Sequence, residues 1–265
     1  MNQTILITGA STGLGAALAL EYAARGANLV LMARRAELLV QLTDQIHGIN
    51  SKCRVIAVPS DVADYQAHQQ HIRDAATQAG RIDVIIANAG VGHVTDELQN
   101  TFTETQRIHN TNVLGAIATL EAGKEVLLKQ GFGQLVGVTS VAATRGLPLS
   151  SAYCSSKAAL AVFLESMRID LCKTQIGVTA IHPGFVATPM TEKNGYMPWL
   201  MPSQQAAKLI VTAILRRKAR YTFPWQMRWI TRLLRYLPNP IYDFIMKLSI
   251  KRAAAFKKKQ ISTKS

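Results

Sequence analysis

Short runs of apolar residues recur along the chain near 4–8, 28–33, 54–58, 84–88, 135–139 and 178–182. Each run is nearly continuous rather than alternating, which is how a strand covered on both faces reads. Alanine- and leucine-rich stretches with a helical period lie between them, so the pattern predicts βαβ units around a parallel sheet. The first unit shows it: Thr4 to Thr8 reads as a buried strand, Ala16 to Ala24 as a helix, and Gly26 stands where a helix stops. At 265 residues the chain is long for one domain, but a doubly wound α/β fold uses that length as one unit.

The turn inside that first unit, Gly9-Ala-Ser-Thr-Gly13-Leu-Gly15, carries candidate chemistry. A strand, a glycine-rich turn and a helix N-terminus together make an anion site from backbone N–H groups and the helix dipole. Gly9 and Gly13 would let the backbone approach a pyrophosphate, and Gly15 would let helix pack on strand. The spacing departs from the G-x-G-x-x-G dinucleotide fingerprint, and a generic glycine-bearing turn is the competing reading. The fold class expected is a single doubly wound Rossmann-type α/β domain with a mostly parallel central sheet over 1–215. A C-terminal helical extension follows over 216–265.

Tyr153-Cys154-Ser155-Ser156-Lys157 places a phenol and an ammonium on one helix face. A phenol with a pKa of about 10 shuttles protons poorly at neutral pH, and a nearby fixed cation is expected to lower it. A drop of about three units needs roughly 4 kcal/mol, which a lysine and a cationic nicotinamide could supply together. A lone YxxxK is common on helix faces, so its partners decide.

With these partners the chain resembles the short-chain dehydrogenase/reductase family, in the group built around TGxxxGxG, NAG and YxxxK. The likeness runs from about Thr4 to Met190, with the motifs in the family's order. It implies that Gly9, Ser11, Thr12, Gly13, Leu14 and Gly15 hold a dinucleotide, with Asp61 and Val62 over its adenine. Asn88, Ala89 and Gly90 match the central-strand motif, and Pro183, Gly184, Val186 and Thr188 the segment that closes over nicotinamide. The implied catalytic set is Asn112, Ser140, Tyr153 and Lys157, with Tyr153 and Lys157 also touching cofactor. Tyr153 would be the general acid or base, Lys157 would hold the ribose hydroxyls, Ser140 would bind the substrate oxygen, and Asn112 would hold a water linking Lys157 to solvent. The family also implies a homodimer or homotetramer.

Cofactor choice reads at the end of the second strand, where an acid marks NAD and an arginine accommodates the 2′-phosphate of NADP. Here Ala33-Arg34-Arg35 precedes the first acid, Glu37, so NADP(H) is expected, with Arg34 and Arg35 as its partners. The substrate lid, about 190–205, carries Met190, Tyr196, Met197, Trp199, Leu200 and Met201. Such methionine-rich surfaces adapt to irregular apolar shapes. Leu147, Pro148 and Leu149 would add to that wall, so an apolar, lipid-like ketone, aldehyde or alcohol is expected. The alternatives are a 3-oxoacyl reductase fed by an acidic carrier protein and a non-catalytic dinucleotide sensor or scaffold. The sensor reading suits a chain that has lost its tyrosine or lysine, and this one has neither loss.

Charge adds a second region of interest. The chain holds 30 basic and 16 acidic residues, a net +14. Residues 216–265 alone hold 14 of the basic residues and one acid, Asp243. At helical spacing Trp225, Trp229, Ile230, Leu233, Leu234 and Leu237 share an arc, with Arg228, Arg232 and Arg235 opposite. This reads as a peripheral contact with an anionic membrane through 216–259. An oligomer interface, an acidic protein partner and, with no reading motif to support it, nucleic acid are the competing readings.

Cys53, Cys154 and Cys172 form neither a disulfide framework nor a metal-binding spacing, so free thiols and no metal are expected. A first strand beginning at about residue 4 leaves no room for a signal peptide, and no apolar run reaches eighteen residues. A cytoplasmic location is expected, with attachment to the inner face of a membrane as a further expectation.

Overall fold

The computed structural model describes residues 3–92, 101–192 and 197–248. Of the sequence expectations, Lys193 and Tyr196 in the lid and the lysines of the 251–264 tail lie outside the described residues.

The chain alternates strand and helix: β1 (Thr4–Thr8), α1 (Gly13–Ala24), β2 (Asn28–Ala33), α2 (Ala36–Ile49), β3 (Val55–Pro59), α3 (Tyr65–Ala79) and β4 (Val84–Ala87). There follow α4 (Phe102–His109), a π-helical turn at Asn110–Gly115, α5 (Ala116–Gln130), β5 (Gly133–Val138), α6 (Ser151–Asp170) and β6 (Ile176–Pro183). Two short strands, β7 (Val186–Ala187) and β8 (Met201–Pro202), pair in parallel. The described chain ends with α7 (Ser203–Leu215), β9 (Arg220–Phe223), α8 (Trp225–Tyr236) and a helical stretch over 239–248.

Among the described residues, seven strands form one sheet in the order β3-β2-β1-β4-β5-β6-β9, and every pairing is parallel. A parallel sheet needs both faces covered. Leu18, Leu39 and Ile210, from α1, α2 and α7, fill one face, and Ile72, Leu120 and Leu164, from α3, α5 and α6, fill the other. Each such fully buried side chain stabilises by about 1.5–3 kcal/mol. The strand order reverses between β1 and β4, and the crevice beyond their carboxyl ends is where such sheets bind ligands.

The seventh strand comes from beyond residue 215, so the sheet continues past the boundary expected from sequence. Arg220-Tyr-Thr-Phe223 is short, partly polar and set in a basic region, which hides it from hydropathy alone. It pairs with Ala180–Pro183 of β6. The segment expected as a lid, to about residue 205, runs into α7, which begins at Ser203 and buries Ala206, Ala207 and Ile210 against the body.

Candidate active site

The residues expected to hold a dinucleotide, from Gly9 through Thr188, all line one cleft at that reversal of strand order, together with Ser140, Tyr153 and Lys157. The floor is set by close backbone approach. Gly9 has φ of +64°, and a Cβ there would sit 2.7 Å from the Ala89 backbone. A Cβ on Gly15 would lie 2.1 Å from the Gly9 carbonyl oxygen, so only glycine lets α1 start this close to β1. Asn88 then stitches the two strand ends, its amide nitrogen donating to the carbonyls of Thr8 at 3.0 Å and Gly9 at 3.3 Å.

The first turn of α1 holds no acid, and no side chain caps it, which leaves its N–H groups for an anion. At the end of β2, Arg34 and Arg35 line the cleft, and Arg34 lies 3.9 Å from Asp61 across it. No carboxylate occupies the end of β2 itself. These features fit a dinucleotide, and Asp61 and Val62 line the same cleft. Two buried histidines, neither expected from sequence, brace the cleft from behind. His68 bridges Ser60 at 2.8 Å and Thr119 at 2.9 Å, fixing the loop that presents Asp61. His182 Nδ1 lies 2.8 Å from Thr139 Oγ1 and 3.3 Å from the Ser140 carbonyl oxygen. Burial pushes both imidazoles down to about 4, so they act as neutral struts.

The catalytic candidates converge, with one reversal. Lys157 is only 4 % exposed, and its ammonium donates to the Val138 carbonyl at 3.0 Å while standing 5.9 Å from the Tyr153 ring centre. Burial pulls Lys157 down to about 8. Burial also raises the Tyr153 phenol above its ordinary value, outweighing the downward pull of its hydrogen bond to Ser140. The expected lowering by Lys157 is therefore not what the chain's own groups produce: loss of water costs the phenolate more than its neighbours return.

Asn112 is fully buried behind the cleft rather than lining it. The π-helical turn offsets it from α4 and α5, a distortion common at functional sites. Its side chain accepts from Val91 N–H at 2.8 Å and donates to the Val91 carbonyl at 2.8 Å and Ser156 Oγ at 3.1 Å. With the amide committed in this way, the side chain holds the segment after Gly90 against α6. A Cβ on Gly90 would meet both Asn112 Oδ1 and Lys157 Nζ at 3.3 Å, so that glycine lets the two approach.

Thr188, of the segment expected over nicotinamide, lies across the glycine turn: a Cβ on Gly13 would come 3.2 Å from it. Met190 lies beside Tyr153, since a Cβ on Gly92 would sit 3.1 Å from Met190 Sδ and 3.4 Å from the Tyr153 ring. Leu149 and Trp199 both adopt left-handed backbone, at φ of 58° and 55°, and remain exposed. Large apolar residues pay a strain cost there, which concentrates at functional sites.

A contact not expected from sequence joins the extension to this wall. Arg145 donates to the carbonyls of Leu234 at 2.6 Å and Leu237 at 2.7 Å and to Asn239 Oδ1 at 2.7 Å. Its guanidinium also lies 3.8 Å from the Tyr242 ring centre. A cation on a helix's last carbonyls complements its dipole. At the other end of α8, Met227 and Pro224 pack against Gly184.

The short chain dehydrogenase family matches residues 3–198. An uncharacterized oxidoreductase of Myxococcus xanthus is 41% identical over 242 residues, 91% of this chain and 95% of its own length. A fatty acyl-CoA reductase of Acinetobacter baylyi is 32% identical over 220 residues, 81% of this chain and 74% of its own length. The crystal structure of a short-chain type dehydrogenase/reductase from Mycobacterium marinum has a TM-score of 0.77 at 26% identity, covering 83% of this chain and 93% of its own. With its motifs gathered in one cleft and its match spanning most of the sequence, the chain belongs to the short-chain dehydrogenase/reductase family, oxidoreductases that act on alcohol and carbonyl groups.

Proposed function

We propose that this chain is an NADP(H)-dependent reductase that interconverts an apolar, lipid-like ketone or aldehyde with its alcohol. The observation that carries the reading is the meeting of Ser140, Tyr153 and Lys157 in one cleft with Met190 of the lid beside the Tyr153 ring. Arg34 and Arg35 would hold the 2′-phosphate, the α1 N-terminus the pyrophosphate, and Lys157 the ribose hydroxyls. When bound, NADPH supplies the hydride that adds to the carbonyl carbon. Tyr153 delivers its phenolic proton to the carbonyl oxygen, and Ser140 hydrogen-bonds the same oxygen as charge develops on it. Lys157 then stabilises the tyrosinate until a proton from solvent restores the phenol. A phenol held protonated by burial suits the donor role, and in the reverse direction the tyrosinate takes the alcohol proton.

The apolar lid and the likeness to a fatty acyl-CoA reductase support a long-chain substrate. The test follows NADPH oxidation with aldehydes and ketones of rising chain length, and titrates NADPH against NADH. Each added methylene that leaves water is worth about 0.8 kcal/mol. kcat/KM should therefore climb by at least about tenfold from four to ten carbons. A flat response would remove the lipid-like substrate, and equal affinity for NADH would remove NADP(H) preference.

A further inference from the structure

Beyond β9 a second cavity, of about 370 Å³, is lined by Lys218, Arg220, Arg228, Arg232 and Arg235. No carboxylate lines it, and none of these five forms an ion pair among the described residues. The hydroxyl-bearing Thr144 and Thr222 add hydrogen-bonding groups to its wall. Five like charges around one hollow repel one another, and partial loss of water together with Arg235 outweighs Glu165 in holding the Arg220 guanidinium below its usual value. An anion seated among them would relieve both strains.

The same helix presents an apolar stripe next to these cations. Trp225, Trp229 and Leu233 are 68%, 60% and 66% exposed, and Tyr236 joins the stripe to the cavity wall. Ile241, Phe244 and Leu248 continue the exposed apolar surface along the next helical stretch. Contiguous exposed apolar groups mark an interaction surface. Tryptophan and tyrosine beside basic residues suit an interface with water on one side and hydrocarbon on the other. Pairing with a second copy through this face would set two such cation clusters against each other, because a two-fold contact brings like patches together.

We propose that this face docks on an anionic phospholipid surface, with a headgroup phosphate in the basic cavity and the Trp225, Trp229 and Leu233 side chains in the interfacial layer. Docking is independent of which carbonyl compound the enzyme reduces. Arg145 links the docked helix to the loop ahead of α6, so the substrate wall is braced against the same face.

The test uses the full chain with phosphatidylcholine vesicles, with vesicles one-third phosphatidylglycerol, and with inorganic phosphate alone. Flotation with the anionic vesicles should exceed that with neutral ones at least tenfold and fall with added salt, and tryptophan emission should shift to the blue. The R228Q/R232Q/R235Q variant keeps every tail lysine, so its expected tenfold or greater loss of flotation reports the cavity rather than the tail. W225S/W229S, altered only at exposed positions, should lose flotation and the blue shift, with circular dichroism confirming that both variants fold. Equal flotation with both vesicle types would overturn the proposal, and so would undiminished flotation of the arginine variant. A phosphate-induced rise in melting temperature without flotation would mark the cavity as a site for free phosphate and overturn lipid docking. Self-association abolished by W225S/W229S, again without flotation, would assign the face to an oligomer and overturn it equally.

Discussion

Lys157 sits almost fully buried with its ammonium on the Val138 carbonyl, whereas Arg228, Arg232 and Arg235 line an open cavity with no carboxylate within ion-pairing distance among the described residues. Both regions are cationic, yet they handle charge in opposite ways. In the cleft, burial sets the chemistry: it pulls Lys157 down, holds Tyr153 up and keeps two histidines neutral. In the C-terminal region the cations gather at the surface, where water screens them and their sum matters more than any one pair. The difference teaches that net charge is a poor guide to where titration controls function. The +14 of the chain says little about a cleft run by a few desolvated groups.

The sharpest way to break this contrast is Tyr153→Phe. Removing the proposed general acid should lower kcat by about 10²- to 10⁴-fold with NADPH affinity unchanged, and full reductase activity in that variant would end the proposed mechanism. Next in size is the acid response of stability. His68 and His182 titrate near 4 when folded and near 6.5 when unfolded, so the unfolded chain gains protons first. Stability present above pH 6.5 should be lost as pH falls towards 4, by up to roughly 3 kcal/mol per histidine. Urea unfolding at pH 7.5 and 4.5 reads this, and His182→Asn should flatten part of the slope.

Arg34→Ala should weaken NADPH by about tenfold or more while leaving NADH within about twofold, since hydrogen bonds to charged groups are worth about 1.5–3 kcal/mol. Paired fluorescence titrations check it. Arg145→Ala should cost about 1–2 kcal/mol, read as faster hydrogen exchange in residues 225–248 rather than in the sheet. Smallest of all, Arg228→Gln with Arg235→Gln should leave the unfolding free energy within about 0.5 kcal/mol. A loss as large as that from a cleft substitution would show that the C-terminal cations are structurally paired after all, and would erase the contrast.

Much of the cleft is legible in the sequence because its signals are local. Tyr153 and Lys157 share a helix face through their four-residue separation, and the glycine turn follows its strand directly. The histidine struts are not legible in this way. His68 meets Thr119 from 51 residues away, and His182 meets Thr139 from 43. A lone histidine near an apolar run carries no mark of the partner it will find. The helix at 225 is an intermediate case. Its amphipathic period is plain, but the sequence places Trp225, Leu233 and Leu234 on one apolar arc, and the structure divides that arc. Met227 is buried and Leu234 half-buried on the body side, while Trp225, Trp229 and Leu233 face outward.

By itself, then, the sequence determined the parallel α/β architecture, the glycine turn and the spacing of Tyr153 and Lys157, because strand, turn and helix preferences act over a few neighbouring residues. Only the tertiary structure decided that β9 completes the sheet, that Arg145 clamps the end of α8 to the loop ahead of α6, and that Tyr153 is held towards its protonated form. Those outcomes depend on desolvation and on partners distant in the chain, and both are sums over groups that meet only once the chain has folded.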